Sequence, residues 1–125
     1  MTTTEQSPWV SSRVENGALV LSILIPKLDR KLHPKAEYLR HVTEAIAAGH
    51  KDVILDLSKL RYSNHVWGLF QLIFSVNNLI HPIGGRLAVC GLGGHPKRAF
   101  LFAEMDRYLP PYRDVAEAHE GLGAR

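Results

Sequence analysis

Cysteine is scarce in this chain, because Cys90 is the only one among its 125 residues. A single thiol cannot close an internal disulfide, so the fold has to be held by its own core, as is usual in a reducing compartment. Cys90 ends an apolar run, residues 87–90, which favours a buried packing role over a reactive one. The sequence therefore favours a cytoplasmic protein.

Long apolar runs are absent as well. The most apolar stretch, residues 66–80, is interrupted by Gln71, Ser75, Asn77 and Asn78. It is shorter than the roughly 20 residues that a helix needs to cross a bilayer. The first eight residues are polar and contain no basic residue, unlike a secretory signal. We therefore expect neither membrane insertion nor export.

Basic residues form no continuous stripe, although the formal net charge is +3 and the sequence pI is about 9.2. Lysines and arginines are spread from Arg13 to Arg125 with acids between them, which argues against nucleic acid as a partner. The seven histidines fit no close metal-ligand pattern, so we predict no metal site.

One glycine-rich segment raises the question of a cofactor. Residues 91–98 (GLGGHPKR) follow a predicted strand and open a predicted helix, where backbone amides can hold an anion or a nucleotide phosphate. The segment has neither phosphate-loop spacing nor the dinucleotide-binding pattern. Ordinary turn chemistry accounts for its glycines, so no cofactor is predicted.

The sequence does contain an alternation of short apolar runs and amphipathic stretches. Alternating strands and helices imply parallel pairing with crossover helices. Asn16 and Gly17 mark a hairpin turn, and Pro110 and Pro111 restrict the last strand to a sheet edge. The predicted strands are residues 10–14, 18–25, 53–57, 86–91 and 109–112, and the predicted helices are residues 34–48, 66–80, 96–105 and 115–121. These elements make a single α/β domain over residues 1–125. Its ordered core extends from about residue 10 to residue 122, and its ends are frayed. The domain consists of a mixed, mostly parallel sheet of about five strands and about four helices.

The second predicted helix carries two opposed stripes. At 100° per residue, one side gathers the aliphatic residues that suit packing on a sheet: Leu69, Leu72, Ile73, Val76 and Ile80. The opposite side carries Trp67, Phe70 and Phe74 among amide side chains. Large aromatics in such surroundings are typical of the centre of a protein interface, so we interpret this side as a partner-binding surface. The alternative is that a neighbouring helix, the first or the third, covers part of it.

Three short motifs occur in order along the chain: Pro26-Lys27-Leu28-Asp29, residues 53–58 (VILDLS), and Gly84-Gly85. With the order of elements, they resemble the STAS domain, a family found in anti-sigma factor antagonists and sulphate transporters. The first motif is similar to the strand-ending Gly-x-Leu-Asp of the family, the second to its third strand, and the glycines to those ahead of its fourth strand. The resemblance covers residues 14–122 and implies the STAS fold.

The loop before the second helix departs from the family. The STAS pattern there is Asp-Ser-Ser-Gly-Leu, with one serine phosphorylated by a partner kinase, whereas this chain reads YSNHVWGL at residues 62–69. Counting from Asp56 aligns His65 with that serine, and counting back from Gly68 aligns Val66 with it. Neither supplies a hydroxyl, and Ser63 lies one or two residues too early. The resemblance therefore implies a domain that is not regulated by serine phosphorylation at the usual position.

Two residues of this loop, His65 and Asn64, have other possible roles. His65 is an interface side chain, a structural residue at the helix start, or a catalytic or metal-binding imidazole, and the positive end of the helix dipole favours its neutral form. Asn64 suits an N-cap, because its side-chain oxygen can accept from the amides of the first turn. We predict no catalytic residue and a partner-binding surface that consists of Ser63, Asn64, His65, Val66, Trp67, Phe70 and Phe74.

The resemblance implies a non-catalytic signalling or scaffold domain, as in bacterial regulators and stressosome-like assemblies. Its partner would be an anti-sigma factor, a switch kinase or another STAS protein. A homo-oligomer is a further possibility. One alternative is a cytosolic accessory subunit of a membrane lipid transporter. The other is a small enzyme that uses His65 with Asp56 or Asp29, or a nucleotide-binding domain. No recognisable set of base, nucleophile and oxyanion donor supports the enzyme.

Overall fold

The computed structural model describes the backbone of residues 9–124 and the side chains of residues 9–64 and 68–123; the expected frayed ends lie outside the described residues. A π-helix, His65–Phe70, runs directly into the second α-helix. The described strands are β1 (Val10–Glu15), β2 (Ala18–Ile23), β3 (Lys27–Leu28), β4 (Asp52–Asp56), β5 (Tyr62–Ser63), β6 (Leu87–Cys90) and β7 (Pro111–Tyr112). The described α-helices are α1 (Lys35–Ala47), α2 (Gln71–Ile80), α3 (Gly94–Phe102) and α4 (Val115–Ala124), with short 3-10 helices at His81–Ile83 and Met105–Arg107.

Five of these strands form one mixed sheet in the order β1-β2-β4-β6-β7. β1 and β2 are antiparallel and the other neighbours are parallel. Asn16 and Gly17 have φ values of 52° and 81°, as a two-residue type I′ hairpin turn requires. β7 lies at the edge, where the missing amide of Pro111 is tolerated. The predicted α/β fold class and sheet are confirmed.

The two faces of the sheet belong to different cores, because side chains alternate along each strand. α1, α2 and α3 pack on one face, against residues such as Leu21, Leu55 and Val89. α4 packs on the other face, in a smaller cluster that includes Val20 and Cys90. Burial raises the pKa of the Cys90 thiol to about 12, so the predicted inert packing role is confirmed.

Some details differ from the sequence-based expectation. β3 and β5 form a separate two-stranded parallel sheet that no pattern predicted, because two-residue strands carry no periodicity. α3 begins at Gly94 and not at Pro96. The helix predicted at residues 66–80 is a π-helix over residues 66–70 and an α-helix from Gln71. Within the described part of the chain, no helix is long and apolar enough to cross a membrane.

Candidate functional site

The π-helix begins at the carboxyl end of the sheet, where the loop before it lies against the β3 segment. The amide of Asn64 donates to the carbonyl of Leu28 at 2.9 Å, and the amide of Arg61 donates to the carbonyl of Pro26 at 2.7 Å. These bonds fasten the loop before the π-helix to the β3 segment. π-helical turns are uncommon and occur often at functional sites, which directs attention to this loop.

The hydroxyl of Ser63 secures the first turn of the π-helix. Its side chain is 0% exposed; Oγ accepts from the amide of Leu69 at 2.9 Å and donates to the carbonyl of Asn64 at 3.0 Å. The first bond gives the buried amide of Leu69, near the start of the π-helix, a side-chain acceptor. The expectation that Ser63 belongs to the partner-binding surface is therefore wrong, because its hydroxyl is enclosed by its own chain. The N-cap role of the Asn64 side chain stays a prediction.

Gly68 lies against this serine. A Cβ at Gly68 would stand 2.1 Å from the Oγ of Ser63 and 3.1 Å from the carbonyl oxygen of Leu28. The first distance is far inside van der Waals contact, and Ser63 could yield only by giving up its bond to the Leu69 amide. The turn therefore requires glycine here for close approach.

Replacing Gly68 with alanine is expected to lower the free energy of unfolding by about 1–3 kcal/mol, the usual cost of inserting a methyl group into a packed site. Urea denaturation checks this value. Gly93→Ala is the matched control, because a Cβ there would meet nothing within 4 Å. Equal effects at the two glycines would contradict the close-approach argument.

A stacked aromatic pair lies beside the start of the π-helix. The rings of Tyr62 and His95 are 4.6 Å apart between centroids and 22° from parallel. The amide of Ser63 donates to Nδ1 of His95 at 3.5 Å, a long hydrogen bond that uses this nitrogen as an acceptor. Tyr62 is exposed, and the pair links the loop to the start of α3.

An apolar cleft opens between α2 and the segment that follows α3. Its volume is about 630 Å³, within the range of small-molecule and peptide pockets. Phe74 is 53% exposed and Tyr108 is 82% exposed at this cleft. The rings of Phe70 and Phe74 lie 5.7 Å apart between centroids. The cleft is lined by Phe70, Ile73, Phe74, Asn77, Ala103, Met105, Tyr108 and Leu109.

The structure divides the aromatic stripe predicted on the second helix. Phe74 is exposed, as an outward-facing residue should be. Phe70 is half-buried and packs against the core of the α1, α2 and α3 face, so it is less outward-facing than the stripe predicted. Cover by the first or the third helix stays a prediction. The predicted side chains of His65, Val66 and Trp67 lie outside the described residues. The opposite stripe is core as predicted, with Leu69, Leu72, Ile73, Val76 and Ile80 all buried.

The described carboxylates near the loop serve the backbone. Asp29 accepts the amides of Leu32 at 2.9 Å and Lys31 at 3.0 Å, and these bonds hold its pKa below the usual range. Asp56 accepts the amide of Ser58 at 3.1 Å. Because the Ser63 hydroxyl donates to a carbonyl, the hydrogen bonds described at this site give that serine no base to activate it.

The fold has close counterparts among solved structures. An anti-sigma factor antagonist from Mycobacterium paratuberculosis matches with a TM-score of 0.72 at 16% identity over 97% of each chain. This chain has the STAS fold. SpoIIAA, an anti-sigma factor antagonist in its unphosphorylated form, matches with a TM-score of 0.70 at 13% identity, over 93% of this chain and 97% of its own. A structure of the stressosome, a signal integration and transduction hub, matches with a TM-score of 0.64 at 14% identity, over 91% of this chain and 96% of its own. No protein-family model and no curated protein sequence matches the chain.

Several residues of this STAS site could not be found from the sequence. Tyr62 and His95 are far apart along the chain, and neither belongs to a periodic pattern. Met105 begins a short 3-10 helix and Tyr108 follows it, and the sequence there suggests only a helix end. The sequence indicated this site only through the aromatic Phe74, which lies on the side of α2 away from the sheet.

Proposed function

We propose that this STAS domain is a non-catalytic protein-binding module that acts in signalling or as a scaffold. The observation that carries the proposal is the apolar cleft beside the π-helix, where Phe74 and Tyr108 are exposed among apolar neighbours. The partner-binding surface consists of this cleft and the loop at Asn64, His65, Val66 and Trp67.

The composition of the cleft suits a protein side chain or helix more than a polar metabolite. Its polar lining comes from the amide of Asn77 and the phenol of Tyr108, and the other lining side chains are apolar. Aromatic residues in concave, water-excluding surroundings commonly dominate the binding energy of protein interfaces. Contact there with an anti-sigma factor, a switch kinase or another STAS chain, including a second copy of this one, would cover the exposed rings.

We also propose that phosphorylation of a serine in this loop does not regulate the domain. The hydroxyl of Ser63 is buried and bonded on both sides, which supports this part of the proposal. The positions aligned with the phosphorylated serine, His65 and Val66, carry no hydroxyl. Binding would then depend on the concentration of the partner and not on phosphorylation of this chain.

Co-purification from cells of the natural source tests the proposal. The tagged natural chain is compared with Phe74→Asp and with Ile83→Asp, a matched control on another surface where Ile83 is 46% exposed. We expect quantitative mass spectrometry to find a protein that the natural chain and the control retain and that Phe74→Asp loses. The identity of that protein separates a regulatory kinase or anti-sigma factor from the ATPase of a lipid transporter. Equal recovery by all three chains would contradict the proposal, as would the absence of any enriched protein.

A further inference from the structure

The carboxyl end of the sheet carries an unequal share of the charge. We take this end as the strand ends of β2, β4, β6 and β7 and the segments that follow them, up to the first turn of the next helix. With Arg98, which directly follows the first turn of α3, it holds nine of the 15 lysines and arginines of the chain but five of its 12 acids. This end therefore has a formal charge of +4, whereas the whole chain has +3. All nine basic side chains are exposed: Lys27, Arg30, Lys31, Lys35, Lys59, Arg61, Lys97, Arg98 and Arg113.

The acids at this end are used differently from the basic residues. Four of the five accept backbone amides: Asp29 and Asp56 in the loops described above, Asp114 from Glu117, and Glu117 from the amide of Arg113 at 2.6 Å. The fifth, Glu37, lies in the first turn of α1, where the helix dipole favours a negative charge. Two basic residues of this end also pair with these acids. Lys27 lies 3.2 Å from Asp29, and Arg113 lies 3.9 Å from Asp114 and 3.8 Å from Glu117. The excess positive charge of this end therefore comes from the other exposed lysines and arginines.

Part of this basic surface lies beside the proposed partner-binding loop. Lys59 and Arg61 precede the π-helix, and Arg98 lies on α3 beside His95 and the 80% exposed ring of Phe102. Charge complementarity steers association and selects partners. We infer that the partner of this domain presents an acidic face, with aspartates and glutamates beside apolar side chains, to the basic surface around the π-helix.

The observations favour a protein over other polyanions. The positive charges are interleaved with exposed aromatic rings and with the carboxylates of Asp114 and Glu117, whereas a surface for nucleic acid is usually a stripe of one sign. The apolar cleft next to the surface supplies a place for the apolar side chains of the same partner. The inference rests on the proposed function, because it describes the chemistry of the partner that binds there.

Fluorescence anisotropy with a labelled probe tests the inference. The probe is a synthetic 20-residue helical peptide with glutamates on one face and leucines on the other, and its control has glutamine at every glutamate. We expect the acidic peptide to bind at least tenfold more tightly than the control, and its affinity to fall about tenfold between 50 and 300 mM NaCl. Lys59→Glu/Arg98→Glu should lose this binding. Arg40→Glu/Lys51→Glu, which removes the same charge from exposed residues elsewhere, should keep it.

Three results would overturn the inference: equal binding of the two peptides, unchanged binding by Lys59→Glu/Arg98→Glu, or tighter binding of single-stranded DNA or of vesicles containing phosphatidylglycerol. The same variants separate this inference from the proposed function when they are used to recover the natural partner. If Phe74→Asp loses the partner and Lys59→Glu/Arg98→Glu keeps it, the acidic face is wrong and the cleft stands. If Lys59→Glu/Arg98→Glu loses the partner and Phe74→Asp keeps it, the partner has an acidic face but does not bind in the cleft.

Discussion

Replacing Leu72 with alanine is expected to lower the free energy of unfolding by about 2–5 kcal/mol, the range seen when a fully buried leucine leaves a cavity. Leu72 is 0% exposed and lies in the core between α2 and the sheet, opposite the exposed ring of Phe74. The loss combines the burial of the isobutyl group with the contacts that its neighbours forfeit. Urea denaturation followed by circular dichroism measures it.

Asn78→Ala is the control on the same helix, since Asn78 is exposed. We expect it to change stability by less than about 0.5 kcal/mol, as is usual for surface positions. If Leu72→Ala changes the free energy of unfolding as little as the control does, a different side of α2 faces the sheet. The assignment of Phe74 to the surface would then also be wrong.

Placing a carboxylate at Ser63 is expected to be at least as damaging. Ser63→Asp would put a charge at a position that is 0% exposed and is occupied by a hydroxyl with two backbone partners. An uncompensated buried charge costs about 3–5 kcal/mol, whereas Ser63→Ala should cost about 1–3 kcal/mol by leaving the Leu69 amide without its acceptor. Denaturation midpoints of the two variants give the comparison, with Asn78→Asp as the exposed control.

The same geometry predicts that a serine kinase does not modify the folded chain at Ser63. Intact-protein mass spectrometry after incubation with a STAS-directed kinase should show no stoichiometric phosphate on this residue. Phosphorylation of the folded protein at Ser63, or a Ser63→Asp variant as stable as the natural chain, would show that the loop opens readily and that the hydroxyl is available.

Most of the fold could be predicted because its signals are local and mutually consistent. The short continuous apolar runs of β2 and β4 predict buried strands. The Asn16-Gly17 turn and the stripe of five aliphatic residues on the second helix predict a hairpin and the side of that helix that faces the sheet. A mostly parallel sheet follows from the alternation of strands and helices. The edge position of β7 followed from its prolines alone.

The candidate site was only partly predictable, because it depends on contacts between distant segments. The pairing of β3 with β5 and the hydrogen bond from the Leu69 amide to Ser63 have no sequence period. A serine in a loop predicts an exposed hydroxyl, whereas Ser63 is enclosed by its pairing with Leu28 in β3 and by the close approach of Gly68. Met105, which lines the same cleft as Phe70, lies in a short 3-10 helix that sequence patterns do not position.

The measurement that tests the account most directly is the affinity of the recovered partner for Phe74→Asp, determined by calorimetric titration on a preparation whose thermal melting has been recorded. Phe74 is exposed, so we predict a melting temperature close to that of the natural chain. We predict a loss of affinity of about 30-fold or more, which corresponds to about 2 kcal/mol for an aromatic residue at an interface centre. A folded Phe74→Asp variant that binds the partner with unchanged affinity would contradict the account.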